Sequence, residues 1–91
     1  MKAGELLNLI DEALANVRTA IVAFQMRILE SPHTAHEFLQ KSLELQEEVE
    51  RLEKLRKEFE ALNPDKELRG EDIDALVRYL EALRNFRGHE F

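Results

Sequence analysis

Residues 20–29, AIVAFQMRIL, decide which fold this chain can adopt. The stretch is apolar except for Gln25 and Arg27, and no glycine or proline interrupts it. A helix through it is therefore apolar around most of its circumference. Such a helix is normally buried on more than one side. The sequence predicts that this helix contacts more than one partner element, either within the chain or in another chain.

The apolar spacing extends this first helix over about residues 2–30. Apolar residues at alternating intervals of three and four form one seam, as in a coiled coil. The seam consists of Leu7, Ile10, Leu14, Val17, Ile21, Phe24 and Ile28. A second stripe with the same alternation lies roughly 135° around the helix from the seam. The stripe consists of Ala15, Thr19, Val22, Met26 and Leu29.

The stretch SPHTAHEF, residues 31–38, ends the first helix and starts a second one over about residues 32–62. Ser31 before Pro32 is typical of an N-cap followed by proline at the first helical position. Thr34 with Glu37 offers an alternative start, a capping box one turn later. Either start places a hairpin turn here, so we expect the first two helices to be antiparallel neighbours.

The second and third helices each show one apolar side. In the second helix the seam has two polar interruptions, Ser42 and Arg56. Its members are Phe38, Ser42, Leu45, Val49, Leu52, Arg56 and Phe59. The third helix is predicted over about residues 71–87, with Gly88 as the residue that ends it. Its apolar face consists of Ile73, Leu76, Val77, Leu80, Leu83 and Phe86.

These signals predict an all-α fold in one domain, residues 1–91. The fold is a long antiparallel helical hairpin plus a shorter third helix, similar to a three-helix bundle and expected to be oligomeric. The third helix is too short to cover both long helices, so apolar surface near the hairpin tip should stay open and mark an interface. In the alternative, the second stripe packs against the third helix within the chain.

Composition narrows the classes of function. The 91 residues are 44% hydrophobic and 35% charged, which fits neither a disordered tail nor a membrane protein. The N-terminal MKAGELLNLIDEAL lacks the pattern of a signal peptide, and the chain has no cysteine. We therefore expect a cytoplasmic protein without a membrane partner. A net charge of −6 argues against nucleic acid as the main partner.

His33 and His36 are candidate metal ligands near the turn, and Glu30 or Glu37 could supply a third. Residues three apart share one helix face, which would allow both imidazoles to reach one ion. A zinc site needs three or four ligands, and HxxH alone supplies two. We therefore interpret the histidines as a polar hairpin tip and predict no metal and no cofactor.

Four acids offer an alternative reading as an enzyme. Glu47 and Glu48, followed by Glu71 and Asp74, form an EE…ExxD pattern that resembles the all-alpha nucleotide pyrophosphohydrolases. The resemblance implies magnesium-dependent hydrolysis with these carboxylates around the ion. Helix geometry argues against it, because Glu48 lies about 21 Å before the end of its helix, where Glu71 begins the next one.

No serine nucleophile motif, phosphate-binding glycine loop or helical zinc motif is present. The sequence thus predicts a non-catalytic protein-interaction module, not an enzyme. We expect a homo-oligomer, most simply a homodimer, that acts as an adaptor, assembly subunit, chaperone or inhibitor. The predicted partner-binding residues are those of the second stripe, Ala15, Thr19, Val22, Met26 and Leu29. The alternative remains the magnesium-dependent hydrolase.

Overall fold

Three α-helices form the computed structural model, which describes residues 1–87. Helix α1 is Ala3–Glu30, α2 is Ala35–Glu60 and α3 is Glu71–Asn85. A 3-10 turn, Pro32–Thr34, joins the first two helices. The all-helical prediction is confirmed, with two long helices packed together and a shorter third one. The predicted helix-ending role of Gly88 lies outside the described residues.

The two long helices are antiparallel, and α3 runs alongside α1 in the same direction. Arg18 of α1 pairs with Glu53 of α2, whereas the earlier Asp11 pairs with the later Arg56. The chain before α3 contacts Met1, and Asn16 contacts the end of α3. The molecule is elongated, with extents of 49 × 20 × 15 Å. One end is the hairpin tip, and the other holds both the start of α1 and the start of α3.

Helix α1 supplies most of the core. Its buried residues are Ala3, Leu6, Leu9, Ile10, Ala13, Leu14, Val17, Ala20 and Phe24. The buried residues of the other two helices are Ser42, Leu45 and Leu52 in α2 and Leu80 in α3. Within residues 1–87, α2 and α3 have no pair of Cα atoms within 8 Å of each other. Helix α1 is therefore the shared partner of both.

The buried face of α1 is wider than the predicted seam. Leu9, Ala13 and Ala20 are buried although they lie outside it. They share one helical line with Asn16, at intervals of four, three and four residues. Asn16 contacts α3, so this line is the side of α1 that α3 covers. The seam predicted the contact with α2, and the third helix adds a second contact beside it.

The helix starts lie where the sequence predicted them, since Ser31 precedes the 3-10 turn and Thr34 precedes α2, but the predicted side-chain caps do not form. Neither residue makes a side-chain capping bond, and α2 begins at Ala35. The Thr34 hydroxyl donates instead to the Ser31 carbonyl at 3.1 Å. A hydroxyl held by that carbonyl one turn back is directed away from the free N–H groups of α2. The hairpin turn itself occurs where the sequence placed it.

Backbone carbonyls of the loop before α3 cap the start of α1. The amides of Ala3 and Gly4 donate to the carbonyls of Lys66 and Pro64, each at 2.9 Å. The first amides of a helix lack intrahelical partners, so the loop satisfies groups that would otherwise need water or a side chain. A Cβ atom on Gly4 would lie 3.3 Å from both the Cβ and the carbonyl oxygen of Pro64. Glycine therefore permits this close approach.

The side chain of Asn16 fixes the other end of α3. Its Nδ2 donates to the carbonyls of Leu83 at 2.8 Å and Phe86 at 2.6 Å. The last carbonyls of a helix have no intrahelical donor. The amide therefore caps α3 at Leu83, whose carbonyl also accepts from the Phe86 amide, and at Phe86, which directly follows the helix. Since Asn16 lies at the middle of α1, this contact determines how far along α1 the third helix extends.

Phe24→Ala tests the core. The Phe24 side chain is 1% exposed, and its ring stacks on Phe38 with centroids 5.9 Å apart. Removing a buried phenyl ring should lower the free energy of unfolding by about 3–5 kcal/mol. Chemical denaturation followed by circular dichroism measures this loss. Leu39→Ala, at an exposed position, is the control and should cost about 0.5 kcal/mol or less. Similar losses for the two variants would show that this core assignment is wrong.

Asn16→Ala tests the attachment of α3. The variant removes two partly buried hydrogen bonds between α1 and the end of α3, so we expect a loss of about 1–2 kcal/mol in the free energy of unfolding. Asn8→Ala, at an exposed position of the same helix, should stay within about 0.5 kcal/mol of the wild type. Thermal or chemical denaturation distinguishes the two variants. Equal stability of the Asn16 and Asn8 variants would contradict the capping role.

Candidate protein-binding surface

The predicted second stripe of α1 is exposed along its whole length. Val22, Met26 and Leu29 are 55%, 56% and 83% exposed, and Ala15 and Thr19 are exposed as well. Helices α2 and α3 both pack on the opposite side of α1. The alternative in which the stripe packs against the third helix within the chain is therefore wrong.

The short length of α3 leaves the hairpin tip open. Fifteen residues span about 22 Å, whereas the 28 residues of α1 span about 42 Å. Since Asn16 holds the end of α3 at the middle of α1, the third helix does not reach the tip. The tip therefore consists of two helices, and their outer faces meet solvent.

Two leucines of α2 enlarge the apolar surface at the tip. Leu39 and Leu43 are 51% and 52% exposed and lie four residues apart on one side of α2. Neither leucine belongs to the predicted partner-binding stripe. Their position off the seam of α2, at helical spacing, is the signal that could have identified them. The exposed large apolar residues of the two helices near the tip are Val22, Met26, Leu29, Leu39 and Leu43.

A shallow groove lies between α1 and α2 on the stripe side, farther from the tip. Its apolar lining residues are Leu14 and Ala15, and we call it the Ala15 groove. The charged residues that line it are Asp11, Arg18, Glu53, Arg56, Lys57 and Glu60. Three of these six are acids and three are bases, so the lining carries no net charge. No sequence pattern predicted the groove, because it requires residues from both helices.

Ion pairs between the helices form the rim of the Ala15 groove. Arg18 Nη2 lies 2.7 Å from Glu53 Oε1, and Arg56 Nε lies 2.7 Å from Asp11 Oδ1. Arg56 also pairs with Glu60 along its own helix. The hydrogen bond and charge of Asp11 are the main causes that raise the pKa of the Arg56 guanidinium, so it stays charged. Arg56, a polar interruption of the predicted seam, thus joins α2 to α1.

A polar cluster links α3 to α2 through side chains. The Tyr79 hydroxyl donates to the Glu48 carboxylate, which also accepts a hydrogen bond from Arg51. Burial, followed by the hydrogen bond and charge of Glu48, raises the pKa of Tyr79 to about 12. Glu48 therefore has a structural partner on the third helix. Sequence reasoning missed Tyr79, since nothing local to its own helix indicates the pairing.

Within the described residues of one chain, the acids of the enzyme alternative are not gathered around one point. Glu71 and Asp74 lie in the first turn of α3, where negative charge is favourable at a helix N-terminus. Within residues 1–87, no group of three or more metal-ligating side chains lies close enough together to hold an ion. His33 is exposed in the 3-10 turn and His36 is exposed in α2.

The fold defines the class of this chain as an all-helical hairpin with a shorter third helix. Searches of family models, of curated proteins and of solved structures find no match to it. None of the described helices combines the length and the apolar character needed to cross a membrane. The exposed apolar surface near the hairpin tip and the Ala15 groove lie on the same side of the hairpin.

Titration of Tyr79 tests the polar cluster. The chain has one tyrosine and no tryptophan, so near-ultraviolet absorbance reports this phenol alone. We expect its pKa at about 12 instead of the ordinary 10.0. The pKa of Tyr79 is higher in the folded chain than in the unfolded chain. Its contribution to the free energy of unfolding is therefore present below pH 10 and is lost as the pH rises towards 12.

The Tyr79 titration has two matched variants. Glu48→Gln should move the pKa of Tyr79 back towards 10.0, since it removes the carboxylate charge. Glu47→Gln removes the charge of the neighbouring residue. The Glu47 side chain makes no hydrogen bond to Tyr79, so this variant should leave the titration of Tyr79 unchanged. An ordinary pKa in the wild type, with the helices intact by circular dichroism, would contradict the cluster.

Proposed function

We propose that this chain is a non-catalytic protein-interaction module, located in the cytoplasm, that binds its partner through the second stripe of α1. The observation that carries the proposal is the exposure of Val22, Met26 and Leu29, each by more than half, on a face that the fold does not use. Contiguous exposed apolar patches mark interaction sites in soluble proteins. The role would be that of an adaptor, assembly subunit, chaperone or inhibitor.

The division of α1 into two faces supports the proposal. All its buried residues belong to the side that contacts α2 and α3, and the stripe adds nothing to this core. Apolar side chains on the stripe therefore contribute less to the stability of a single chain than the core residues do. They also promote association and lower solubility, so a partner that covers them accounts for their presence.

The shape of the stripe favours a helical partner. From Ala15 to Leu29 it extends about 21 Å along a regular helix, with anchors at intervals of three and four residues. An amphipathic helix presents anchors at the same intervals, so two such surfaces can interdigitate. Met26 at the centre of the exposed part suits this role, because its unbranched thioether adapts to an irregular neighbour.

Met26→Lys tests the proposed function. The position is 56% exposed, so the lysine reaches water in the free chain, and the free energy of unfolding should change by no more than about 0.5 kcal/mol. Partner binding should weaken at least about tenfold, because the ammonium group must be desolvated in the complex. Ala82→Lys, which adds the same charge at an exposed site of α3, is the matched control.

The measurement has two stages. Cross-linking in cells of the native host captures partners of the wild type and of both variants, and calorimetry then measures binding of the purified partner. We expect the partner to be retained by Ala82→Lys and lost by Met26→Lys. Equal capture and equal affinity for both variants would contradict a role of the stripe in binding.

A further inference from the structure

We propose that the partner of the stripe is a second copy of this chain, packed antiparallel about a two-fold axis near Val22. In this dimer, Leu29 of each copy inserts into the Ala15 groove of the other. The inference rests on the proposed function, because it names the partner of the same surface.

The side chains of the stripe increase in size along α1. The first residues of the stripe, Ala15 and Thr19, are small, and its last, Met26 and Leu29, are large. Ala15 and Leu29 are fourteen residues apart, nearly four turns, so they face the same side of the helix about 21 Å from each other. Leu29 is the most exposed large apolar residue of residues 1–87, and Ala15 lines a concavity. One face therefore carries both a protrusion and a hollow.

An antiparallel two-fold pairing makes this face complementary to itself. In a two-fold interface, if residue i of one copy meets residue j of the other, then j also meets i. Val22 is the midpoint between Ala15 and Leu29, so an axis through it places each Leu29 over the partner's Ala15 groove. Large side chains then fill space beside small ones, as close packing requires. A parallel pairing would instead oppose Leu29 to Leu29 and leave a gap between the alanines.

The charges beside the stripe permit two copies to approach. The chain has a net charge of −6, which by itself would keep copies apart. The Ala15 groove carries three acids and three bases, and Arg18 and Arg56 pair with Glu53 and Asp11 across its rim. An incoming leucine therefore meets a groove without net charge, in which most of the charged side chains are already in ion pairs. The excess negative charge lies on other surfaces of the molecule.

The area of the stripe determines the strength of the dimer. A helix is about 10–12 Å wide and the stripe is about 21 Å long, which gives a projected strip on the order of 200–250 Å². Stable interfaces bury about 800 Å² of accessible surface on each partner. The stripe alone is smaller than that, so the dimer also needs contacts from the walls of the Ala15 groove. We therefore expect a reversible dimer with a dissociation constant in the micromolar range or weaker.

Single cysteines test the geometry, because the chain has none of its own. Mild oxidation should link Val22→Cys into a covalent dimer, since the two positions meet near the axis within disulfide reach. Leu29→Cys alone should stay unlinked, because its two copies are about 21 Å apart along the pair. A mixture of Ala15→Cys and Leu29→Cys should link one chain to the other. Ala82→Cys, outside the stripe, is the control for random collision and should not link.

Sedimentation equilibrium of the unmodified chain over micromolar to millimolar concentration completes the test. We expect a concentration-dependent dimer that Ala82→Lys preserves and Met26→Lys weakens at least about tenfold. A wild type that is monomeric throughout, with Val22→Cys unlinked, would overturn the second copy as partner. A dimer that links Leu29→Cys to itself would overturn the antiparallel geometry. If the chain is monomeric and Met26→Lys still loses a captured host protein, the proposed function stands and only this inference fails.

Discussion

The burial of one broad face of α1 against both α2 and α3 is the interaction on which the rest of the structure depends. The described parts of α2 and α3 have no Cα atoms within 8 Å of each other, so each is held mainly by α1. Full burial of a leucine, isoleucine or phenylalanine side chain is worth about 1.5–3 kcal/mol. Leu6, Ile10 and Phe24 of α1 are all buried to at least 99%. A defect in this face therefore weakens the attachment of both other helices.

The same arrangement determines which surface is left for binding. The loop before α3 caps the start of α1, and Asn16 holds the end of α3 at the middle of α1. These two contacts fix the position of α3 and leave the hairpin tip as a pair of helices. The outer stripe of α1 is thus exposed as a consequence of how the core is built. Because stability and binding use opposite faces of one helix, a substitution can alter either one without the other.

The elements of the fold could be predicted because their signals are local. The apolar spacing predicted that Ile10, Leu14 and Val17 are buried, and the proline after Ser31 predicted the hairpin turn. Spacing also located the stripe, and the length of the third segment indicated that the stripe would stay open. Ser31 and Thr34 hold the N-cap positions that the sequence indicated, but their side chains make no capping bond, and the threonine hydroxyl donates to the Ser31 carbonyl instead.

The remaining features depend on pairings across long sequence separations, which spacing within one helix cannot reveal. Asn16 and the end of α3 are about seventy residues apart in the sequence, as are Met1 and the loop that it contacts. The Ala15 groove and the Tyr79–Glu48 contact likewise need two helices in a particular register. Leu9 and Ala13 were missed for the same reason, since only the position of α3 makes their side of α1 a buried one.

The most direct measurement of the central claim is the relaxation of methyl signals by a soluble paramagnetic agent in nuclear magnetic resonance. In dilute solution the account predicts strong relaxation for Val22, Met26 and Leu29 and little for Ile10 and Val17, which are fully buried. When the partner is added, or when the chain itself is concentrated enough to dimerise, the stripe methyls should become protected while the relaxation of the core methyls stays unchanged. Stripe methyls as protected as the core in dilute solution would contradict the account, as would stripe methyls that stay fully relaxed in the complex.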